Sequence, residues 1–274
     1  MTTGIHLPWR AVVWALACTL LLPLTSGTVI GTERGALAPA AAMANRGDPL
    51  ASARWGEMQR QFIGNAPFVF DPQVKVSAPE LAENPLQVPI SVDASALAGV
   101  EEVIVFADFN PIVEILRFYP EAVPASLGFR IKLQQSTPVR AAARTRDGVW
   151  HVGGSWVNTA GGGCTTPSLG SGSPLWQAQL NQVAARQWST GPNAGRLRLK
   201  IVHPMDTGLV AGIPAFFLEE ITLRDAAGQR LLRVQPAEPV AENPVFTLGG
   251  LGHGAVEASG RDNNGNQFST RIAP

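Results

Sequence analysis

In GFRIKLQQ, Phe129, Ile131 and Leu133 alternate with Arg130, Lys132 and Gln134, and in RLRLKIV, Leu197, Leu199 and Ile201 alternate with Arg and Lys. A side-chain period of two marks a strand that buries one side and wets the other. Short segments of this kind, rich in β-branched and aromatic residues, fill most of the chain. LQVPISV, VEEVIVFAD, VEILRFYP, VRAAART and VWHVGGSWV precede residue 164, and AFFLEEITLRD, LLRVQP, PVFTLGG, AVEASGRD and NQFSTRI come after residue 195. Pro, Gly, Asn and Asp separate them, and Asp147-Gly148, Ala227-Gly228 and Asn264-Gly265 supply tight hairpin turns. The pattern predicts a mainly β chain, folded as two antiparallel β-sandwiches of which the second is smaller. No internal repeat is strong enough to make the halves duplicates.

Two helices are expected beside the strands. DPLASARWGEMQRQFIG reads as one amphipathic helix, capped by Asp48, opened by Pro49 and closed by Gly64, with Trp55, Met58 and Phe62 on the face that packs on the following domain. LWQAQLNQVAARQW places Trp176, Leu180, Val183 and Gln187 at helical spacing after the linker TTPSLGSGSP.

The first forty-odd residues stand apart. Arg10 precedes AVVWALACTLLLPL, an apolar run too short to span a bilayer comfortably and suited to the core of a secretory signal. Small residues at Ala42-Met43-Ala44 place cleavage after Ala44, with a site near Gly27 or an uncleaved anchor as the alternatives. A lipoprotein signal at Cys18 is set aside, because Ala15 stands where a branched apolar residue is expected. The expected location is periplasmic, with no membrane attachment after cleavage. The 21 basic and 21 acidic side chains cancel, and no run of Lys or Arg suggests a nucleic acid partner.

Cleavage leaves one cysteine, Cys164, in TAGGGCTTPS. An exported protein normally pairs its cysteines, so an odd one is either an intermolecular partner or a thiol kept for chemistry. Gly161, Gly162 and Gly163 make a flexible arm with little packing of its own, which is expected to leave Cys164 mobile and exposed. Such a thiol can hold a disulfide, persulfide or thiosulfonate adduct, with the thiolate as the reactive form. No Lys, Arg or His lies within several residues to lower its pKa. A carrier is therefore expected before a thiol enzyme, which would need a fixed base. His151, His203 and His253 are widely separated, so no metal site is indicated, and no cofactor is expected beyond a covalent sulfur adduct. GGGC lacks the pattern of a phosphate loop, and Ser155 in GGSW lacks that of a nucleophile elbow.

HVGGSWVNTAGGGC resembles the end of SoxY, the sulfur-carrying subunit of the periplasmic thiosulfate-oxidising system, whose terminal arm carries intermediates. KIVHPMDTGL, IPAFFLEEITL, ENPVFTLGG and RDNNGN resemble SoxZ, its partner, in the expected order. Both in one polypeptide look like the fused SoxYZ-like proteins associated with quinoprotein dehydrogenases. The resemblance implies a pair of immunoglobulin-like sandwiches with no catalytic residues of their own. It divides the chain into a signal at 1–44, a SoxY-like domain with its helix and cysteine arm at 45–165, a linker and short helix at 166–190, and a SoxZ-like domain at 191–274. Cys164 becomes the covalent attachment point. His203, Met205 and Asp206, in HPMDTG, become a loop that docks a partner or supports the arm. The implied partners are periplasmic redox enzymes, such as a quinoprotein dehydrogenase or a c-type cytochrome. The alternative is a non-covalent docking module for such a dehydrogenase or its cytochrome, with Cys164 incidental. Two features depart from SoxY: the arm continues into another domain, so it must be presented as a loop, and Thr165 and Thr166 replace the two glycines after the family cysteine.

Overall fold

The computed structural model describes residues 47–169, 174–192 and 194–274. The signal segment and part of the linker lie outside these residues. The described chain belongs to one compact unit, Ala38–Pro274. None of its helices is long and apolar enough to cross a membrane.

The fold is mainly β, built as immunoglobulin-like sandwiching of two antiparallel sheets. The larger sheet runs in the order β1 (Phe68–Phe70), β9 (Trp150–Thr159), β8 (Thr137–Thr145), β5 (Val100–Ala107), β6 (Glu114–Pro120), β15 (Arg230–Pro236), β14 (Leu218–Asp225), β17 (Val256–Asp262) and β18 (Gln267–Ile272), with β3 (Leu81–Ala82) beside β9. The second runs β10 (Val183–Gly191), β11 (Ala194–Ile201), β16 (Val245–Leu251), β7 (Ser126–Ile131), β4 (Val88–Asp93) and β2 (Lys75–Ser77). Among the described residues, only β1 and β3 run parallel to their neighbour, β9. β12 (Asp206–Thr207) and β13 (Ala215–Phe216) form a small pair of their own.

Both sheets cross from the first half of the sequence to the second. β6 pairs with β15, setting Phe118 opposite Val234, and β7 meets β16 at Gly128 and Thr247. Leu127, Ile131, Phe118, Leu197, Leu199, Val234 and Phe246 therefore belong to one buried core. The linker joins halves that are already strand neighbours. The two pairings cover four strand edges, those of β6, β15, β7 and β16, that would otherwise invite association.

The strand pattern follows the alternation in the sequence: β4 and β11 bury every second residue. β8 is buried on both faces. Its outer face is covered by helix α1 (Trp55–Phe62), whose Trp55, Met58 and Phe62 close a second cluster with Ile104, Phe106, Ala142, Trp150 and Val152. All three hairpin glycines, Gly148, Gly228 and Gly265, have the positive φ their turns need.

Both helices are shorter than expected. Asp48 does not cap α1; its carboxylate accepts the Leu50 and Ser52 N–H groups at 3.2 and 2.8 Å, and Ala51 sits at φ 50°, which breaks the first turn. Helix α2 (Pro174–Gln179) stops early, and the residues expected to continue it become β10. Val183, Trp188 and Thr190 are strand formers, and β11 offers an open edge; tertiary pairing overrides an accidental helical spacing.

Candidate functional site

β9 delivers the three glycines to the junction between the halves, and the expected exposed arm is instead a tucked turn. Cys164 lies in a short 3-10 turn, Gly163–Thr165, and is fully buried. Backbone bonds hold the strip: Gly162 N–H donates to the Gln134 carbonyl at 3.0 Å and Gly163 N–H to that of Leu133 at 2.9 Å. A Cβ on Gly161 would stand 2.3 Å from the Gln134 oxygen, and one on Gly163 would stand 2.3 Å from the Pro85 oxygen. These glycines are needed for close approach, and freedom of the arm would require leaving these contacts.

The floor of the site comes from the segment after β7. Asn110 Nδ2 donates to the Lys132 carbonyl at 3.0 Å, and the Cys164 thiol lies 3.6 Å from the same oxygen. Lys132, expected on the wetted side of its strand, is 2% exposed. β7 has ended at Ile131, and the stretch leading into β16 covers the residues beyond it: Lys132 N–H donates to Pro239 O at 2.7 Å. The Lys132 ammonium donates to the Met205 carbonyl.

The second half supplies the wall. His203 Nδ1 accepts the Met205 N–H at 3.1 Å, so its proton is on Nε2, which faces the Asp262 carboxylate at 3.6 Å, too far for a hydrogen bond. This turn holds Met205 at φ 53°. Asp206 and Thr207 then meet the arm: Thr207 Oγ1 donates to the Cys164 carbonyl at 2.7 Å, and Asp206 Oδ1 accepts the Ser168 N–H at 3.1 Å. Leu169 N–H donates to Glu242 Oε2 at 2.9 Å. The arm and the HPMDTG loop thus lie against one another. Three further residues of the site, Thr207, Lys132 and Asn110, are not among those expected from the sequence; Thr207 falls inside that motif, whereas nothing local marks the other two.

Burial dominates the electrostatics. It pushes the Cys164 thiol up to about 11, against the pull of the Lys132 ammonium. Burial also lowers Lys132, opposed by Asp206 and by Cys164 itself. His203 is pushed down to about 4 by burial, against Asp262, and is neutral at pH 7. With one nitrogen on Met205 and the other toward Asp262, it is not placed as a base for Cys164. His151 bonds Asp71 and His253 bonds loop carbonyls.

Both stability and reactivity should therefore depend on pH. The raised thiol pKa contributes stability below the free value near 9 and loses it as pH rises through about 11. We expect alkylation of Cys164 in the folded protein to climb steadily across that window, about tenfold per pH unit, while the unfolded chain levels off near pH 9. Parallel pH profiles in the two states would contradict the sealed position.

The sequence matches two family models in tandem: sulfur oxidation protein SoxY over residues 59–164, and sulphur oxidation protein SoxZ over residues 190–273. The first match ends on Cys164. The chain belongs to these families as a fused SoxYZ-like protein. Such proteins are carriers or accessories in sulfur oxidation that work with partner redox enzymes. Among solved structures, the sulfur carrier protein SoxY from Chlorobium limicola f thiosulfatophilum is 19% identical, with a TM-score of 0.33, over 39% of this chain and 97% of that one. A β-glucuronidase from Parabacteroides merdae is 10% identical, with a TM-score of 0.23, over 73% of this chain and 24% of that one. No curated protein matches.

Proposed function

We propose that the protein is a periplasmic sulfur carrier that holds a covalent adduct on Cys164 and presents it to redox enzymes, storing the unloaded thiol in the closed site. The carrying observation is that the SoxY match ends on the one cysteine left in the described chain, and that this cysteine rests on the SoxZ-like half. Joining the thiol to the terminal sulfur of thiosulfate forms one S–S bond and releases the thiol proton and two electrons. A partner oxidant, a c-type cytochrome by class, takes up the electrons, and solvent takes the proton.

A buried sulfur in contact with the Lys132 carbonyl has no room for an added atom, so loading requires the arm to leave. Opening exchanges the hydrogen bonds at Gly162, Gly163, Cys164, Ser168 and Leu169 for water, each worth about 1 kcal/mol net. The sandwich core is untouched by that exchange. Once out, Cys164 loses the burial that suppresses its thiolate and becomes reactive. The fusion keeps both halves together at any concentration. Association with a quinoprotein dehydrogenase is part of this proposal and rests on the fused architecture.

The burial of Cys164 favours a second reading, in which the protein is a docking module and the thiol is structural. Cys164→Ser separates the two. The conservative change preserves the fold, and the carrier reading expects sulfur-compound oxidation to fall to background in a strain that depends on this protein. Retained oxidation with normal protein levels would leave the docking reading.

A further inference from the structure

The chain carries no net charge, yet its cations are not evenly spread. On the solvent side of the second sheet, β11 presents Arg196, Arg198 and Lys200, β10 presents Arg186 beside Trp188, and β7 presents Arg130. The register sets Arg186 directly opposite Arg198, an arrangement of like charges that works against the sheet. No carboxylate points out from these strands or from β16, which offers Val245, Thr247 and Gly249. None of the five cations makes an ion pair among the described residues. The nearest outward acid on the sheet, Asp93, stands opposite Lys75 on β2, and Glu242 at the rim holds Leu169 N–H.

The middle of this face is low. Gly128 and Thr247 floor two adjoining depressions of about 380 and 270 Å³; Arg130, Arg196, Arg198 and Trp188 wall the larger, and Arg196 the smaller. A basic rim that includes an aromatic ring around a shallow centre fits a protein surface better than a single small ion. The face also ends at the arm. Arg130 stands two residues before Lys132, whose carbonyl meets the Cys164 thiol, and Lys200 stands three residues before His203.

We propose that this sheet face docks the redox partner of the carrier through a carboxylate-rich surface on that partner, which brings the partner's edge to Cys164. This rests on the carrier reading for the partner's identity, but the docking chemistry is tested separately. The chain's own first 46 residues are an unsuitable occupant, with Arg10, Arg34 and Arg46 against the single acid Glu33. Opposed charges would speed encounter and set orientation, and release would be easy at the ionic strength where such fields are screened.

The probe is a synthetic oligoglutamate peptide titrated against the full chain by calorimetry, with phosphatidylglycerol vesicles and sodium sulfate as comparison ligands. The peptide is expected to bind at low salt and to weaken as salt passes about 0.1 M. Arg196→Glu with Arg198→Glu should lower its affinity about tenfold or more. This reversal relieves like-charge crowding, so the fold should hold, and the Arg196→Gln, Arg198→Gln pair should give an intermediate loss. Arg60→Glu, on the helix that covers the larger sheet, and Cys164→Ser should leave peptide binding unchanged. The proposal is overturned by wild-type binding in the double reversal, by an equal loss in Arg60→Glu, by preference for vesicles over peptide, or by sulfate occupying the face as tightly as the peptide. A protein that takes up an adduct on Cys164 but ignores the peptide fails this inference alone and leaves the carrier reading standing.

Discussion

Gly163→Ala is expected to raise the alkylation rate of Cys164 in the folded protein by about 10- to 100-fold at neutral pH, with little change in global stability. The new Cβ would stand 2.3 Å from Pro85 O and 2.8 Å from Leu133 O. Both are backbone atoms in segments bonded to each other, Pro85 O accepting the Leu133 N–H at 2.9 Å, and neither can swing aside as a side-chain tip would. The cheapest relief is for the arm to leave its groove. Overpacking of this kind costs ~1–3 kcal/mol, which sets the range of the shift toward the open form. The main sandwich core does not include the arm, so thermal unfolding should move far less than the labelling rate. An unchanged labelling rate would mean that the closed turn is not what protects the thiol.

The largest loss of stability is expected from Arg140→Ala. Arg140 sits on β8, buried on both faces, with Nε 3.1 Å from Asp108 and its terminal nitrogens 2.8 Å from both oxygens of Asp48. Its guanidinium also lies over Trp55 at 4.8 Å. Its removal strands two buried carboxylates, at a cost of about 3–5 kcal/mol. For a chain of this size the melting temperature should fall by roughly 10 °C. Burial already raises the Asp108 pKa, with Arg140 the main opposing influence, so the deficit should shrink in mild acid as Asp108 takes up a proton. Adding Asp48→Asn and Asp108→Asn to an Arg140→Met protein should recover most of the loss. A melting temperature within a few degrees of wild type for Arg140→Ala alone would show that the ion cluster is not the anchor of the N-terminal segment.

The strands are legible in the sequence because period-two alternation and hairpin chemistry agree, as in Leu197 to Ile201 and at Asn264-Gly265. β10 is not, because Trp176, Leu180 and Val183 repeat at helical spacing by coincidence, and only the open edge of β11 decides the outcome. Asp48 has the local marks of a helix cap because nothing nearby reveals Arg140, 92 residues away in sequence. The glycines stand out as exceptional, yet their physical role does not. A run without Cβ atoms permits both a loose tether and a tight approach, and the carbonyls of Pro85 and Gln134 that choose between them are distant in the chain. Lys132 shows the same limit, since its place in an alternating strand marks it as solvated until residues from the second half cover it. The motif HPMDTG is visible as a unit, whereas its contact with the arm depends on the strand pairing of the two halves.

Whether Cys164 carries cargo and is sealed when empty is decided by the intact mass of the mature protein isolated without reductant. The mass is taken before and after exposure to thiosulfate with the native periplasmic fraction, and again after reduction, with peptide mapping. A carrier should show a reducible mass increase of sulfur or a sulfur oxoanion on Cys164, and loaded molecules should have their arm accessible to protease while empty ones do not. A protein that stays unmodified under turnover, with Cys164 as slow to label as in the resting state, would contradict the carrier role.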